Sequence, residues 1–313
     1  MRITNSSMLA SHMYDVQESL QRMDKLSKQL DTGKQVNRVS DDPHKAIKIM
    51  NLNNEIKYTE KYNYNIDEIV GWMNNTDSSL EEVGRALNDI KESILKVGNG
   101  AYTEEEFKAI NADVNVKIRE LGETLNSSYA GRHMFGGSNV DEAPVNIIEN
   151  ADGTVTLELN SKANSDDLKA DISDGINIDY NVSAKEIFDT GRGGKDYLSA
   201  INDVSKLLND IANGKDVEVN KEKLTSDVKV KIDSFFNNTL DNRTKLGVRV
   251  STAENIKDLN NEHILNMKGV LSLDQDVNHV EKFTELKSAE LVYNASIQAG
   301  LKLIQPSILD YLR

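Results

Sequence analysis

Apolar positions along most of this chain recur at helical spacing. Leu9, Met13, Val16, Leu20, Met23 and Leu30 advance by three or four residues, with Ser27 at the skipped position and Leu26 beside it. That spacing keeps one face of a helix apolar and matches the seam of a coiled coil. Asp31-Thr32-Gly33-Lys34 interrupts the stripe, and Gly33 is suited to cap a helix C-terminus. Ser40-Asp41-Asp42-Pro43 restarts it. The acids suit the positive end of a helix, Asp42 can accept from its exposed amides, and Pro43 at the first helical position forfeits no hydrogen bond. Ile47, Met50, Ile56, Ile66, Ile69, Val70, Met73, Leu80, Val83, Leu87, Ile90, Ile94 and Val97 then continue the pattern without a proline. One helix from Pro43 to Val97 would be about 80 Å long and predicts a rod.

Gly98-Asn99-Gly100 marks a turn, and Thr103 followed by Glu106 predicts a capping box. The helix it opens carries Phe107, Ile110, Val114, Ile118, Leu121 and Leu125 and is expected to fold back antiparallel. From Gly131 the texture changes. The turn Asp152-Gly153 leads into an alternating run, Thr154 to Leu159, that predicts a strand in a small β-rich insert. Helical spacing returns near Asp196 with Leu198, Ile201, Val204, Leu208 and Ile211. It ends in a broad stripe of Val280, Phe283, Leu286, Ala289, Tyr293, Ile297, Leu301, Ile304 and Ile308. The predicted fold class is mainly α with a small β insert: long antiparallel helices in a coiled-coil or bundle rod, the terminal helices paired. The expected domains are residues 1–41 with 276–313 as a terminal coiled coil, 42–137 with 187–275 as a helical bundle, and 138–186 as an acidic β-rich insert.

Composition narrows the function. The 313 residues carry a formal net charge of −14. A field of that sign repels phosphates, so no nucleic-acid partner is expected. The acidity is local: 12 acidic and 4 basic residues lie between Gly131 and Thr190, so the insert should face solvent. The ends are nearly neutral, with six basic and four acidic groups in residues 1–40 and four of each in 277–313, as suits segments destined for burial. There is no cysteine, which excludes disulfides and thiolate chemistry. No run reaches the ~20 apolar residues of a membrane span, and Met1 to Met13 lacks the apolar core of a Sec signal, so neither membrane insertion nor a cleaved leader is expected.

Candidate chemistry is sparse. His12, His44, His133, His263 and His279 show no metal-ligand spacing. Gly191-Arg192-Gly193-Gly194-Lys195 resembles a phosphate loop only in composition, because Asp196 stands where a serine or threonine would meet magnesium, and a linker is expected. Gly137-Ser138 lacks the flanks of a nucleophile elbow and reads as a turn. Asp166-Asp167, Asp171, Asp174 and Asp179 miss calcium-loop spacing and read as solvated surface. No enzyme activity, cofactor or metal is expected. The terminal stripes remain. Each is cut off from the middle by a turn signal, and together they are wider than one intramolecular seam needs, so they are expected to pair with each other and with neighbouring copies.

Three segments carry a resemblance. Leu30-Asp31-Thr32-Gly33-Lys34-Gln35-Val36-Asn37-Arg38-Val39-Ser40-Asp41-Asp42-Pro43 is similar to the signature of the flagellin superfamily, with Gly33, Asn37, Asp41, Asp42 and Pro43 as its marks. Tyr129 to Ser138, with Phe135, Gly136 and Gly137, resembles the segment leading out of that family's helical region. Gln298 to Ser307 and the Leu309-Asp310-Tyr311-Leu312-Arg313 ending, with the opening Met1-Arg2-Ile3-Thr4, resemble its hook-associated branch, of the FlgL type, more than filament flagellin. The resemblance covers roughly residues 1 to 140 and 240 to 313. It implies a structural junction protein of the bacterial flagellum, with paired terminal helices lining a tube core and an outward β domain. It also implies an extracellular flagellar location reached by type III export without a cleaved signal. The partners it implies are neighbouring copies, a hook-associated protein on the hook side, flagellin on the filament side, and a cytoplasmic export chaperone that masks the C-terminal helix. The alternatives are a short filament flagellin, or a ligand-binding or enzymatic module in the acidic insert.

Overall fold

A computed structural model describes residues 5–100, 102–188 and 196–304. The first helix, α1 (Asn5–Thr32), is followed by α2 (Pro43–Asn99) and α3 (Glu104–Leu125). Three antiparallel pairs come next: β1 (Ser128–Tyr129) with β2 (Arg132–His133), β3 (Val145–Glu149) with β4 (Val155–Leu159), and β5 (Lys169–Ser173) with β6 (Ile176–Asp179). The short α4 (Ala184–Ile187) precedes α5 (Tyr197–Ala212) and α6 (Val217–Lys223). A π-helical turn, Leu224–Val228, leads into α7 (Lys229–Gln275), and α8 (His279–Ile304) follows. The mainly α chain with small β pairs agrees with the class read from the sequence. The glycine-rich linker 191–195, Ile308 and the last residues of the resemblance lie outside the described residues.

The chain divides into two compact units, Met1–Tyr58 with Glu262–Arg313, and Thr59–Asn261. In the second, three helices line up by complementary chemistry. α3 runs back along α2, with Lys117 Nζ 3.7 Å from Asp89 and Ser79 Oγ 3.2 Å from Ser127 Oγ. α7 is also antiparallel to α2: Arg243 grips Asp77 through two donors at 2.9 and 3.1 Å and reaches Glu81 at 3.3 Å. The predicted capping box is present, Thr103 Oγ1 accepting from Glu106 N–H at 3.4 Å while the Glu106 carboxylate accepts from Thr103 N–H at 2.8 Å. Asp196, where a phosphate loop would need a hydroxyl, is the N-cap of α5 and accepts from Ser199 N–H at 3.1 Å.

The insert differs from the expected separate, solvent-facing domain. Val145, Val155, Leu157 and Ile172 are buried in the same apolar core as Leu87, Ile118 and Val204 of the helices. The physical reason is that a two-stranded ribbon cannot bury its own apolar face. Each hairpin therefore presses that face on helices and keeps its acids outside. Asparagines do much of the docking. Asn126 of the turn after α3 exchanges two hydrogen bonds with the Val145 backbone, at 2.7 and 3.0 Å. Asn260 Nδ2 donates to the Ile172 carbonyl at 2.9 Å. Asp166 accepts from Asn164 Nδ2 at 2.9 Å, and among the described residues no group of three His, Cys, Asp or Glu side chains could hold a metal ion. No described helix is long and apolar enough to cross a membrane.

Candidate functional site

The residues singled out by the terminal stripes lie in the first unit, on α1 and α8. The two helices lie against each other in antiparallel sense: His12 meets Gly300 at one end, where a Cβ added to Gly300 would fall 2.4 Å from His12 Nε2. At the other end Val277 N–H donates to the Gly33 carbonyl at 3.0 Å.

The face that joins them is only partly the predicted one. On α1 the sheltered positions are His12, Val16, Ser19, Met23, Leu26, Ser27, Gln29 and Leu30, with Leu26 and Gln29 buried outright. On α8 they are Lys282, Glu285, Leu286, Ala289, Glu290, Tyr293, Ser296 and Gly300. Val16, Met23, Leu30, Leu286 and Tyr293 thus sit at the seam. Leu9, Met13, Leu20, Val280, Phe283, Ile297 and Leu301 do not; they are exposed, Leu20 at 44%, Phe283 at 54% and Val280 at 78%. Ile304 ends the helix, and its side chain, like Ile308, lies outside the described residues.

The apolar side chains of the pair divide between two faces. Ser19, Ser296, Gly300 and Ala289 share the inner face with Val16, Met23, Leu26, Leu30, Leu286 and Tyr293, and an open groove of about 290 Å³ is lined by Ser19, Arg22, Thr284, Glu285, Ser288, Ala289 and Val292. A second set of large apolar side chains, Leu9, Met13, Leu20, Phe283 and Leu301 among them, faces outward. Small inward residues let the helix backbones approach, whereas leucine, methionine and phenylalanine left outside forgo ~1.5 to 3 kcal/mol each of burial.

Beneath this pair the family-signature residues build a clasp. Gly33 takes φ +68, a left-handed conformation that lets the chain leave α1. Asn37 Oδ1 accepts from Thr32 Oγ1 at 2.8 Å, and Asn37 Nδ2 donates to the Lys34 carbonyl at 3.4 Å. Asp41 accepts from Arg38 N–H at 3.0 Å while Arg38's carbonyl accepts from Asp41 N–H at 2.9 Å. The Arg38 amide, with Lys25 3.4 Å away, holds the Asp41 carboxyl below the ordinary aspartate value. Asp42 Oδ1 accepts from Lys45 N–H at 3.1 Å, and Pro43 opens α2. The connection between α7 and α8 closes the clasp: Lys34 bridges Asp276, and Gln35 N–H donates to the Gln275 carbonyl at 2.7 Å. Gln29 Nε2 and Lys45 Nζ both reach Gln35, at 2.6 and 2.9 Å. The sequence marks each linker as a break but carries no sign that the two breaks pair.

The second group of signature residues lies in the other unit. Phe135 is fully buried, and its carbonyl accepts from Ala184 N–H at 2.8 Å. A Cβ on Gly136 would fall 2.0 Å from the Asn139 carbonyl oxygen, and Gly137 sits at φ +72 against Asn164.

Residues 3–140 match the family model of the bacterial flagellin N-terminal helical region. That stretch of the chain is similar to a flagellin N-terminal region. Over 306 residues, 96% of the chain and 95% of the relative, the sequence is 22% identical to flagellar hook-associated protein 3 of Salmonella typhimurium. Similarity to flagellin B of Helicobacter pylori is 25% but spans 136 residues, 43% of this chain and 26% of that protein. Among solved structures, the flagellar junction protein FlgL of Legionella pneumophila has the same fold, with a TM-score of 0.54 and 13% identity over 73% of this chain and 99% of that one. The sequence similarity is thus to flagellar proteins, a hook-associated protein along nearly its whole length and a flagellin over its N-terminal part, and the fold is shared with a flagellar junction protein.

Proposed function

We propose that this chain is a structural subunit of the junction between flagellar hook and filament, a mechanical adaptor seated by its terminal helices against neighbouring copies. The observation that carries the reading is the second apolar face of the α1–α8 pair. Leu9, Met13, Leu20, Phe283 and Leu301 are turned to solvent, in addition to the apolar residues that the two helices bury against each other. A surface of that kind gains its apolar burial on association. Similarity along nearly the whole of a hook-associated protein supports the junction role. Export by the type III route, a masking chaperone, and partners on the hook and filament sides belong to the same reading and rest on that similarity.

The decisive experiment is genetic. In a strain lacking this gene, flagellin should be lost to the medium and hooks remain bare. The wild-type gene should restore filaments, and a Leu9→Gln, Leu20→Gln, Phe283→Gln variant should not, although it is exported. Restoration by the variant would sink the reading. The second reading, a short filament flagellin, is favoured only by the shared N-terminal region. It requires the purified chain to polymerise alone into long filaments, where a junction subunit stops at short assemblies.

A further inference from the structure

The β3–β4 hairpin has one strand edge that meets side chains where a third strand would lie. β3 fills one side of β4 in unbroken register, from Val145 opposite Leu159 to Glu149 opposite Val155. On the other side Ser205 Oγ accepts from Val155 N–H at 3.0 Å, and Asn202 takes Leu157 at both ends, accepting from its N–H at 2.8 Å and donating to its carbonyl at 2.9 Å. Asn115 completes the row, accepting from the Ser205 hydroxyl at 2.7 Å and donating to the Gly153 carbonyl at 2.9 Å. Ser205 and Asn115 are buried, so α5 and α3 satisfy the ladder that a neighbouring strand would otherwise claim.

β4 has no defence of its own. Val155-Thr156-Leu157-Glu158-Leu159 contains no proline, lysine or bulge, whereas the β5–β6 pair has a shifted register between Asp171 and Ser173. The outward amides of Val155 and Leu157 allow a symmetric pairing that uses both, with Val155 opposite Leu157 of a second β4 and Thr156 opposite its own copy. Glu158 would then face Thr154, so no like charges oppose each other. We propose that Asn202, Ser205 and Asn115 are an edge guard. They occupy a strand-pairing surface whose partner, once bared, is β4 of a second copy of this chain, and so keep association between copies away from the hairpin.

The chain has no cysteine, which permits a clean test in the full-length protein. At a non-hydrogen-bonded position of an antiparallel pair the Cα atoms lie ~4.5 Å apart, within disulfide range. Thr156→Cys should therefore cross-link under mild oxidation only when two β4 edges pair, while Glu158→Cys, off the symmetry axis, should not. Adding Asn202→Ala and Ser205→Ala is expected to speed dimer formation through position 156 at least tenfold and to leave position 158 unchanged. Association through the terminal helices would not separate the two positions, so failure of this inference is distinct from failure of the junction reading. A guardless chain that keeps its helical circular dichroism yet gains no preference for position 156 overturns the proposal. Should that variant unfold, Asn202→Asp, which keeps the acceptor and loses the donor, must still raise cross-linking at 156; an unchanged rate overturns it equally.

Discussion

At the scale of single residues, glycines and one alanine separate two kinds of constraint. Ala130 and Gly131 form the turn between β1 and β2, at φ +51 and +79, and a Cβ on Gly131 meets nothing within 4 Å. The cost of Gly131→Ala is conformational alone, about 1 kcal/mol. Ala130 already bears a strain of that kind, so Ala130→Gly should raise stability by about 0.5 kcal/mol once the added freedom of the unfolded chain is deducted. Gly136 is a different case, since its missing side chain makes room for the Asn139 carbonyl at 2.0 Å. Backbone cannot step aside as a rotamer does, so Gly136→Ala should cost about 3 kcal/mol or more. Chemical denaturation followed by fluorescence of the only tryptophan, the buried Trp72, would rank the three variants. Equal losses for Gly131→Ala and Gly136→Ala would refute the distinction. Sequence alone marks Gly136 and Gly137 as residues of the resemblance, but it cannot say that Gly136 is held by the Asn139 backbone while Gly137 is held both by its own dihedral and by Asn164, whose carbonyl oxygen would lie 2.3 Å from a Cβ.

Helix beginnings were the most legible elements, because a cap is a local device. Pro43 and the Thr103–Glu106 box stand where the residues placed them. Harder to read was anything decided by a partner. The stripe from Leu9 to Leu30 runs at seam spacing, yet the contact with α8 is rotated toward His12, Ser19 and Leu26 because Gly300, Ser296 and Ala289 offer small surfaces there. Leu26 lies beside the seam that the spacing predicts, and it is the apolar side chain of α1 most fully covered, at 5%. Leu26→Ala should cost the helix pair about 2 kcal/mol and speed amide exchange in both helices, while Leu20→Ala leaves the monomer's exchange unchanged. The β5–β6 hairpin is illegible in the sequence for a related reason: Lys169–Asp179 is acidic and bulged, and Asn65 and Asn260 donate to its Asp171 and Ile172 carbonyls from outside, at 3.0 and 2.9 Å. The clasp adds a pH dependence. Asp41 titrates below its ordinary 3.8 in the folded chain, so its contribution is present in full above that value and is lost as pH falls through the lower, folded one. Asp41→Asn should therefore loosen the Arg38 amide at neutral pH, and the gap between variant and wild type should close below about pH 4. A gap that persisted at pH 2 would contradict this account.

For the molecule as a whole, the two units differ in how fully each satisfies itself. The unit Thr59–Asn261 holds a continuous core in which leucines, isoleucines, phenylalanines and a tryptophan are closed off and asparagines tie the hairpins to helices. The unit containing both ends has a buried apolar cluster of Ile56, Ile264 and Met267, and leaves Ile47, Met50, Leu265 and Leu273 in solvent along with the outward residues of α1 and α8. A helix pair joined through one narrow seam, in which Leu26 is the buried apolar side chain of α1 and serine, glycine and alanine fill part of the contact, has little to hold it when alone, since isolated helices with little apolar packing are marginal in water. In a monomer, amides of residues 9–30 and 280–301 should therefore exchange orders of magnitude faster than those of α3 and α5, which are anchored in the closed core. On assembly the same amides should become protected, because outward leucines and phenylalanine then gain the burial they lack in one chain. The Leu9→Gln, Leu20→Gln, Phe283→Gln variant isolates this step: its monomer should melt with wild type, having lost only exposed groups, but its terminal amides should stay unprotected when wild-type subunits assemble. Protection of both ends in the wild-type monomer, at the level of α3, would mean that one chain already satisfies its terminal helices, and the drive toward neighbouring copies would have to come from another surface.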